Sequence, residues 1–265
     1  MTPDTELAFG PVPSRRLGNS LGINSIPPKH CSYACVYCQV GRTTRMQIRR
    51  GPFYAPEAVV RAAGEKLRRV EAGGTTVDYL TVVPDGEPTL DIGLGELIDG
   101  LKGLNRPVAV ISNASLVTDP NVRDELAQAD WVSLKVDAVD ESVWKRIDRP
   151  HGKLELPSIL AGIRSFADGF GGRLVTETML VAGVNDAPAH LEGVAAFLKT
   201  VGPAVAYISA PTRPPAETWV RPPDESTLHR AYEVFSDALD RVELLISYEG
   251  TDFSADENAD PAGAL

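Results

Sequence analysis

The sequence predicts an α/β fold built on parallel strands, and three observations lead there. Short apolar runs of strand length alternate with longer segments whose apolar residues recur at helical spacing, and this alternation repeats six times. Polar residues able to carry chemistry follow directly on several of the apolar runs, where α/β folds collect functional groups. Six such units form either an open doubly wound sheet or an incomplete barrel. At 265 residues and 43% hydrophobic, the chain is long enough for one large domain or two small ones.

The elements run in order. "LGINSIP" (21–27) reads as the first strand, followed by a loop that holds every cysteine of the chain. In 56–74, Val59, Val60, Ala63, Leu67 and Val70 fall at helical spacing before paired glycines, which predicts a helix. "VDYLTVVP" (77–84) is a buried strand, "DGEPTL" a loop and 93–104 a helix. "PVAVISN" (107–113) is a strand, and 118–129 a helix that Thr118 or Asp119 can cap ahead of Pro120. "WVSLKVDA" (131–138) is the fourth strand, with helices near 140–148 and 156–168. Strands over 173–181 and 204–210 flank a helix at 188–200, and a helix near 224–240 follows. "RVELLISYEG" (241–250) is an additional strand. The expected organisation is an N-terminal extension (1–20), a core (21–223), a C-terminal helix and strand packed on it (224–250), and an unstructured tail (251–265) with few large apolar residues.

Charge and apolar runs exclude several classes. The formal net charge of −10 argues against a large nucleic-acid footprint. No apolar run approaches the ~20 residues that cross a bilayer, and the first ten residues do not read as a secretory signal. The expected compartment is the cytoplasm. The charge is uneven: residues 1–50 hold seven Lys or Arg and two acids, so the remainder carries −15. That basic excess is either a solvated face or a patch for an anionic substrate or an acidic electron donor.

Cys31, Cys35 and Cys38 are an odd set at close spacing, a poor disulfide framework and a good ligand set in a reducing compartment. Three thiolates leave one position of a tetrahedral centre to another ligand. His30 would reach it only with awkward geometry, which disfavours a closed zinc site. An iron-sulfur cluster held by three cysteines instead leaves one iron for an outside ligand.

The spacing C-x3-C-x2-C, with Tyr37 just before the last cysteine, resembles the radical S-adenosylmethionine superfamily. That resemblance implies a partial (β/α)6 TIM-like barrel, with one [4Fe-4S] cluster on Cys31, Cys35 and Cys38 whose fourth iron is chelated by S-adenosylmethionine. "DGEPTL" is similar to the family's glycine-glycine-glutamate-proline loop, with Asp85 in place of the first glycine. This implies that Gly86, Glu87 and Pro88 receive the methionyl ammonium, and Tyr37, Ser112 and Asn113 complete the cofactor-binding set. "MLVAGVND" (179–186) is similar to the segment that meets adenine through backbone.

Lys135 and Asp137 alternate with Leu134 and Val136, so both leave their strand on one face. Inside a barrel such a pair is either a structural ion pair or a contact with cofactor or substrate, and both residues are candidates for the catalytic role. Arg149, His151, Arg213, Trp219 and Arg221 lie in loops after the fourth and sixth strands and are candidates for substrate contacts.

The resemblance implies reductive cleavage of S-adenosylmethionine to methionine and a 5'-deoxyadenosyl radical, which takes hydrogen from a small-molecule substrate. A one-electron donor such as flavodoxin or ferredoxin would supply the electron. "FGPVPSRRLGNSLGI", "RPHG" and "PTRPPAETWVRPP" further resemble a branch related to the wyosine synthases, which modify transfer RNA. The acidic balance, and the lack of cysteines for a second cluster, argue against that substrate. An enzyme installing a glycyl radical on a protein, and a zinc-binding module without turnover, are the remaining alternatives.

Overall fold

The computed structural model describes residues 6–246. Its strands are β1 (Ala8–Ser14), β2 (Gly18–Ile23), β3 (His30–Cys31), β4 (Arg45–Met46), β5 (Tyr79–Val82), β6 (Val108–Ser112), β7 (Trp131–Lys135), β8 (Arg173–Met179), β9 (Val205–Ser209) and β10 (Val242–Leu245). The helices are α1 (Pro56–Ala72), α2 (Leu94–Lys102), α3 (Pro120–Leu126), α4 (Glu141–Ile147), α5 (Leu156–Gly169), α6 (Pro188–Val201) and α7 (Glu225–Ala238). No helix among the described residues is long and apolar enough to cross a membrane.

Eight strands form one sheet in the order β1-β2-β5-β6-β7-β8-β9-β10, all neighbours parallel except β1 with β2. A doubly wound sheet would reverse its strand order partway. Here the order simply follows the chain, which selects the partial barrel of the two predicted alternatives. Side chains alternate across the curled sheet. Leu80, Val82, Val108, Val110, Val132 and Leu134 point outward and are buried under the helices in the main core. The opposite face gives a concave interior whose floor is a separate apolar cluster including Leu17, Trp131 and Tyr207.

Helix boundaries follow local chemistry. Asp119 is the cap of α3, its side chain accepting from Asn121 N at 2.9 Å, so Asp119 rather than Thr118 takes that role. Asp140 and Asp224 cap α4 and α7 in the same way. The "DGEPTL" loop contains one 3-10 turn, Pro88–Leu90, capped by the side chain of Glu87.

The N-terminus departs from the expectation. Residues 8–14 are a strand of the main sheet, and the expected boundary at residue 20 falls inside β2. Gly10, Pro11 and Pro13 disguise this strand, since proline is a breaker in sheet interiors but is tolerated at an edge. β1 pairs only with β2, and its register shifts between Phe9 and Val12. The expected C-terminal strand is present as β10. The expected unstructured tail lies outside the described residues.

Candidate active site

The cysteine loop leaves the C-terminal end of β2 and is fastened at both ends. β3 and β4 pair His30 with Arg45 and Cys31 with Met46, closing the loop on itself. Its middle docks on the end of α4, where Ala34 N donates to Asp148 O (3.0 Å) and Val36 N to Ile147 O (2.9 Å). Turns at Cys38 N→Cys35 O (3.2 Å) and Gly41 N→Cys38 O (3.1 Å) bend it. Local sequence therefore presents three free, half-buried thiols from one loop at the functional rim of the barrel.

Each thiol has a distinct neighbour. Asn113 Nδ2 lies 3.5 Å from Cys31 Sγ, Cys35 Sγ donates to Asp148 Oδ1 at 3.4 Å, and Lys29 Nζ lies 4.0 Å from Cys38 Sγ. Burial, then the Glu87 carboxylate, pushes the Cys31 thiol up to about 12; burial and then Asp148 push Cys35 well above its ordinary value. Thiols so placed ionise only against a cation. Among the described residues, no three His, Cys, Asp or Glu side chains converge as a single metal ion requires.

Glu87 is fully buried, and its carboxylate faces into the protein. Oε1 accepts from Thr89 N (3.1 Å), Thr89 Oγ1 (2.6 Å) and Ser112 Oγ (2.7 Å), while Oε2 accepts from Asn113 N (2.8 Å). It thus ties the loop after β5 to the loop after β6. Asn113 continues the chain of contacts, donating to Ser32 Oγ at 3.0 Å and accepting from Ser115 N at 2.9 Å. The predicted acceptor for an ammonium is accordingly a clamp between loops, and the backbone carbonyls of 85–88 are the loop's other acceptors.

Gly86 brings that loop against the cysteine loop. A Cβ there would lie 2.1 Å from His30 O, inside any tolerated contact. Glu87 N also donates to His30 O (3.0 Å), and Lys29 N to Asp85 O (2.7 Å). Gly86→Ala should therefore force the two loops apart while the core persists. If the loop receives S-adenosylmethionine, as the resemblance implies, turnover should fall by about 100-fold, as an ångström-scale misplacement can cause; unchanged turnover in a variant that melts like wild type would reject the close-approach role.

Lys135 and Asp137 do share one face, but they stand in the wall behind the cavity. Lys135 Nζ donates to Glu177 Oε1 (3.3 Å), lies 3.8 Å from Asp137 Oδ1, and sits 4.7 Å above the Tyr37 ring. Tyr37 is buried, with its hydroxyl donating to Asp137 Oδ2 and, at 3.2 Å, to Asp148 Oδ1. Met179 N donates to Asp137 Oδ1 (2.7 Å). Asn185 secures the "MLVAGVND" turn, donating to Asp137 O (3.0 Å) and Met179 O (2.8 Å).

Glu177, Asp148, Arg16 and Ser209 belong to this network and were missed in the sequence. Glu177 could have been found by the argument applied to Lys135, a charge alternating with neighbours along a strand. Arg16 could not, because the hairpin that delivers it went unrecognised. Its Nη1 donates to Glu177 Oε2 at 2.6 Å, its guanidinium lies 5.7 Å from the Tyr207 ring centre, and Ser209 Oγ donates to Glu177 Oε1 at 3.0 Å.

Burial works against the Glu177 charge, but Lys135 and then Arg16 outweigh it and hold the carboxyl down to about 2. A depressed acid contributes stability above its unfolded value and loses it as pH falls toward the folded one. Between pH ~4.5 and ~2 the wild type should lose roughly 3 kcal/mol from this group. Chemical denaturation of wild type and Glu177→Gln across that window checks it; equal slopes would refute the assignment.

The five substrate candidates separate. Arg213 borders the barrel's cavity, of about 1140 Å3. Arg149 donates to Glu217 Oε1 (2.7 Å), and Arg42 of the cysteine loop reaches Glu217 Oε2 (3.3 Å). Arg221 donates to the carbonyls of Thr218 (2.6 Å) and Val220 (2.8 Å), stitching its own loop. His151 accepts from Lys153 N at 3.3 Å through Nδ1, and its own N donates to Ser32 O at 2.9 Å. Trp219 is exposed at the surface. Only Arg213 of the five borders the cavity.

Comparison with known proteins agrees with this architecture. The family model of the radical SAM superfamily matches residues 25–195. UPF0026 protein MJ1312 of Methanocaldococcus jannaschii is 43% identical over 256 residues, covering 96% of this chain and 79% of that protein. Two solved structures share the fold. A radical SAM methyltransferase from Sphaerobacter thermophilus has a TM-score of 0.62 at 17% identity, covering 86% of this chain and 67% of that one. TYW1 with a lysine-pyruvate adduct bound has a TM-score of 0.63 at 15% identity, covering 84% and 76%.

Proposed function

The chain belongs to the radical SAM superfamily and is an enzyme of that class, and on that premise we propose that Cys31, Cys35 and Cys38 hold one [4Fe-4S] cluster with S-adenosylmethionine on its open iron. The observation that carries this reading is the placement of three free thiols on one loop, packed against the Glu87-clamped loops after β5 and β6. The donor set fits by its chemistry: three free thiols on one loop are soft ligands of the kind that hold iron-sulfur clusters. With an electron from an outside donor, the bound cluster and S-adenosylmethionine would supply hydrogen-abstracting radical chemistry for a small-molecule substrate, with methionine released.

The protein's own groups bind and orient. Carbonyls of the 85–88 loop would receive the methionyl ammonium, with Gly86 allowing the approach and Glu87 fixing the loop. Asn113 joins the loop after β6 to Cys31 and Ser32 of the cysteine loop. Lys135 positions Glu177, and Tyr37, held by Asp137, joins Cys35 on the Asp148 carboxylate.

Anaerobic reconstitution with iron, sulfide and zinc analysis tests the reading, followed by reduction and chromatography for deoxyadenosine. Bound iron and sulfide with deoxyadenosine release are expected. Zinc in their place, with no release, would sink the proposal.

A one-electron donor such as flavodoxin or ferredoxin would dock on the outer side of the cysteine loop. Arg42, Arg45 and Arg49 are exposed there beside Val40 and Met46. Stopped-flow reduction by an acidic flavodoxin should slow roughly tenfold from low to high salt; a flat response would reject the docking face. A reducing, cytoplasmic compartment would keep the three thiols free.

A further inference from the structure

We propose that the Lys29 ammonium raises the reduction potential of the cluster site through Cys38, so that the bound group takes up an electron more readily. Lys29 is then a positioning residue for electron uptake. Its role rests on the cluster reading, and the test separates the two.

The three thiols stand in unlike fields. Burial and then Glu87 act against ionisation of Cys31, and burial and then Asp148, 3.4 Å away, act against that of Cys35. Buried carboxyl groups offer no positive charge to an electron added at those ligands. The cation on the Cys35 side is Lys135, which is shared between Glu177 at 3.3 Å and Asp137 at 3.8 Å. Cys38 differs, because its Sγ lies 4.0 Å from Lys29 Nζ. At that distance the contact is electrostatic rather than a close hydrogen bond. Both residues are half-buried, so water and salt screen the pair only in part. Charge and hydrogen bonding at the sulfurs are what set the potential of an iron-sulfur cluster, and a cation beside one ligand favours the reduced, more negative state.

Lys29 is held along its length. Its N donates to Asp85 O (2.7 Å), its O accepts from Arg45 N (3.0 Å), and its Nζ donates to Gly41 O (2.6 Å). Gly41 N in turn donates to Cys38 O (3.1 Å), so the ammonium and the thiol are fixed on one turn. A charge placed before the electron arrives needs no reorganisation when it does. The backbone at Lys29 has φ +66°, a left-handed conformation that glycine or asparagine adopts with less strain. Neither of its backbone bonds requires a side chain, so a lysine in this strained position points to a use for the ammonium. Asp85 feels the same charge: burial raises its carboxyl, and Lys29 works against the rise.

The test is a reductive titration of the anaerobically reconstituted full chain without S-adenosylmethionine, followed by electron paramagnetic resonance of the reduced cluster. In Lys29→Gln the reduction equilibrium should become about tenfold less favourable, a midpoint lower by ~59 mV for a one-electron couple. Lys29→Arg keeps the charge and should stay within about threefold of wild type. Arg230→Gln, which removes an exposed charge on α7, should change the equilibrium by less than about twofold. A wild-type midpoint in Lys29→Gln, a shift in Lys29→Arg as large as in Lys29→Gln, or an equal shift in Arg230→Gln overturns the proposal. A Lys29→Gln chain that melts like wild type but holds no iron assigns Lys29 to assembly and also overturns it. If Lys29→Gln does not melt cooperatively, Lys29→Met, of similar length, carries the comparison. Wild type that binds no iron and sulfide fails the cluster reading itself, whereas a full cluster with an unmoved midpoint in Lys29→Gln fails only this inference.

Discussion

Cys38→Ala should reduce cluster iron and deoxyadenosine release to background while leaving the thermal melt within a few degrees of wild type. The choice of cysteine matters. Cys31 and Cys35 pack against the hydrophobic core, so removing either sulfur also removes packing. Cys38 belongs to none of the core clusters, and its thiol's recorded neighbour is Lys29 Nζ at 4.0 Å. Surface-side truncations of this kind usually change stability by about 0.5 kcal/mol or less. A fall in iron with an unchanged melt assigns the thiol to the cluster. Full iron retention in Cys38→Ala would remove it from the ligand set.

Glu87→Ala is expected to be the most damaging single change away from the cysteines. Four donors converge on this buried carboxylate, from Thr89, Ser112 and Asn113. Deleting it strands them in a dry interior and should cost about 4 kcal/mol, since each unpaired buried donor costs roughly 1–3 kcal/mol before relaxation. For a domain of this size that corresponds to a midpoint about 10 °C lower. Glu87→Gln keeps the shape and should recover more than half of the loss. Calorimetry on both variants decides; a Glu87→Ala midpoint within 2–3 °C of wild type, below the ~1 kcal/mol typical of point mutants, would mean the clamp is dispensable.

The sequence-to-structure correspondence was uneven for physical reasons. Strands such as Val108–Ser112 and Trp131–Lys135 were legible because buried parallel strands are short, apolar and bounded by breakers. The helices were legible through their caps and apolar spacing. β1 was hidden because its prolines are admissible only at an edge, and an edge is a property of the sheet, not of the segment. The three cysteines were found by spacing, and Glu87 by the loop it stands in, but the orientation of its carboxylate depends on Ser112 and Asn113, some 25 residues away. Lys135 and Asp137 were placed on one face correctly, while their partners Glu177, Asp148 and Tyr37 come from three other segments. Such convergence is tertiary information and leaves no local periodicity to read.

The strand order bears on how this protein can be dissected. A fragment cut to residues 25–195, the span matched by the family model, would lack β1, β2, β9 and β10 and would reduce the sheet to β5-β6-β7-β8. Both outer ladders of that remnant, along β5 and β8, would be stripped of their partners and free to pair with other chains, so such a piece should aggregate. It would also lose Arg16, leaving Glu177 to Lys135 alone, and would uncover Trp131 by removing Leu17 and Tyr207, its partners in the barrel floor. For expression or for grafting onto other proteins, the smallest transferable unit therefore begins at the β1 hairpin, well before the cysteines, and runs through β10.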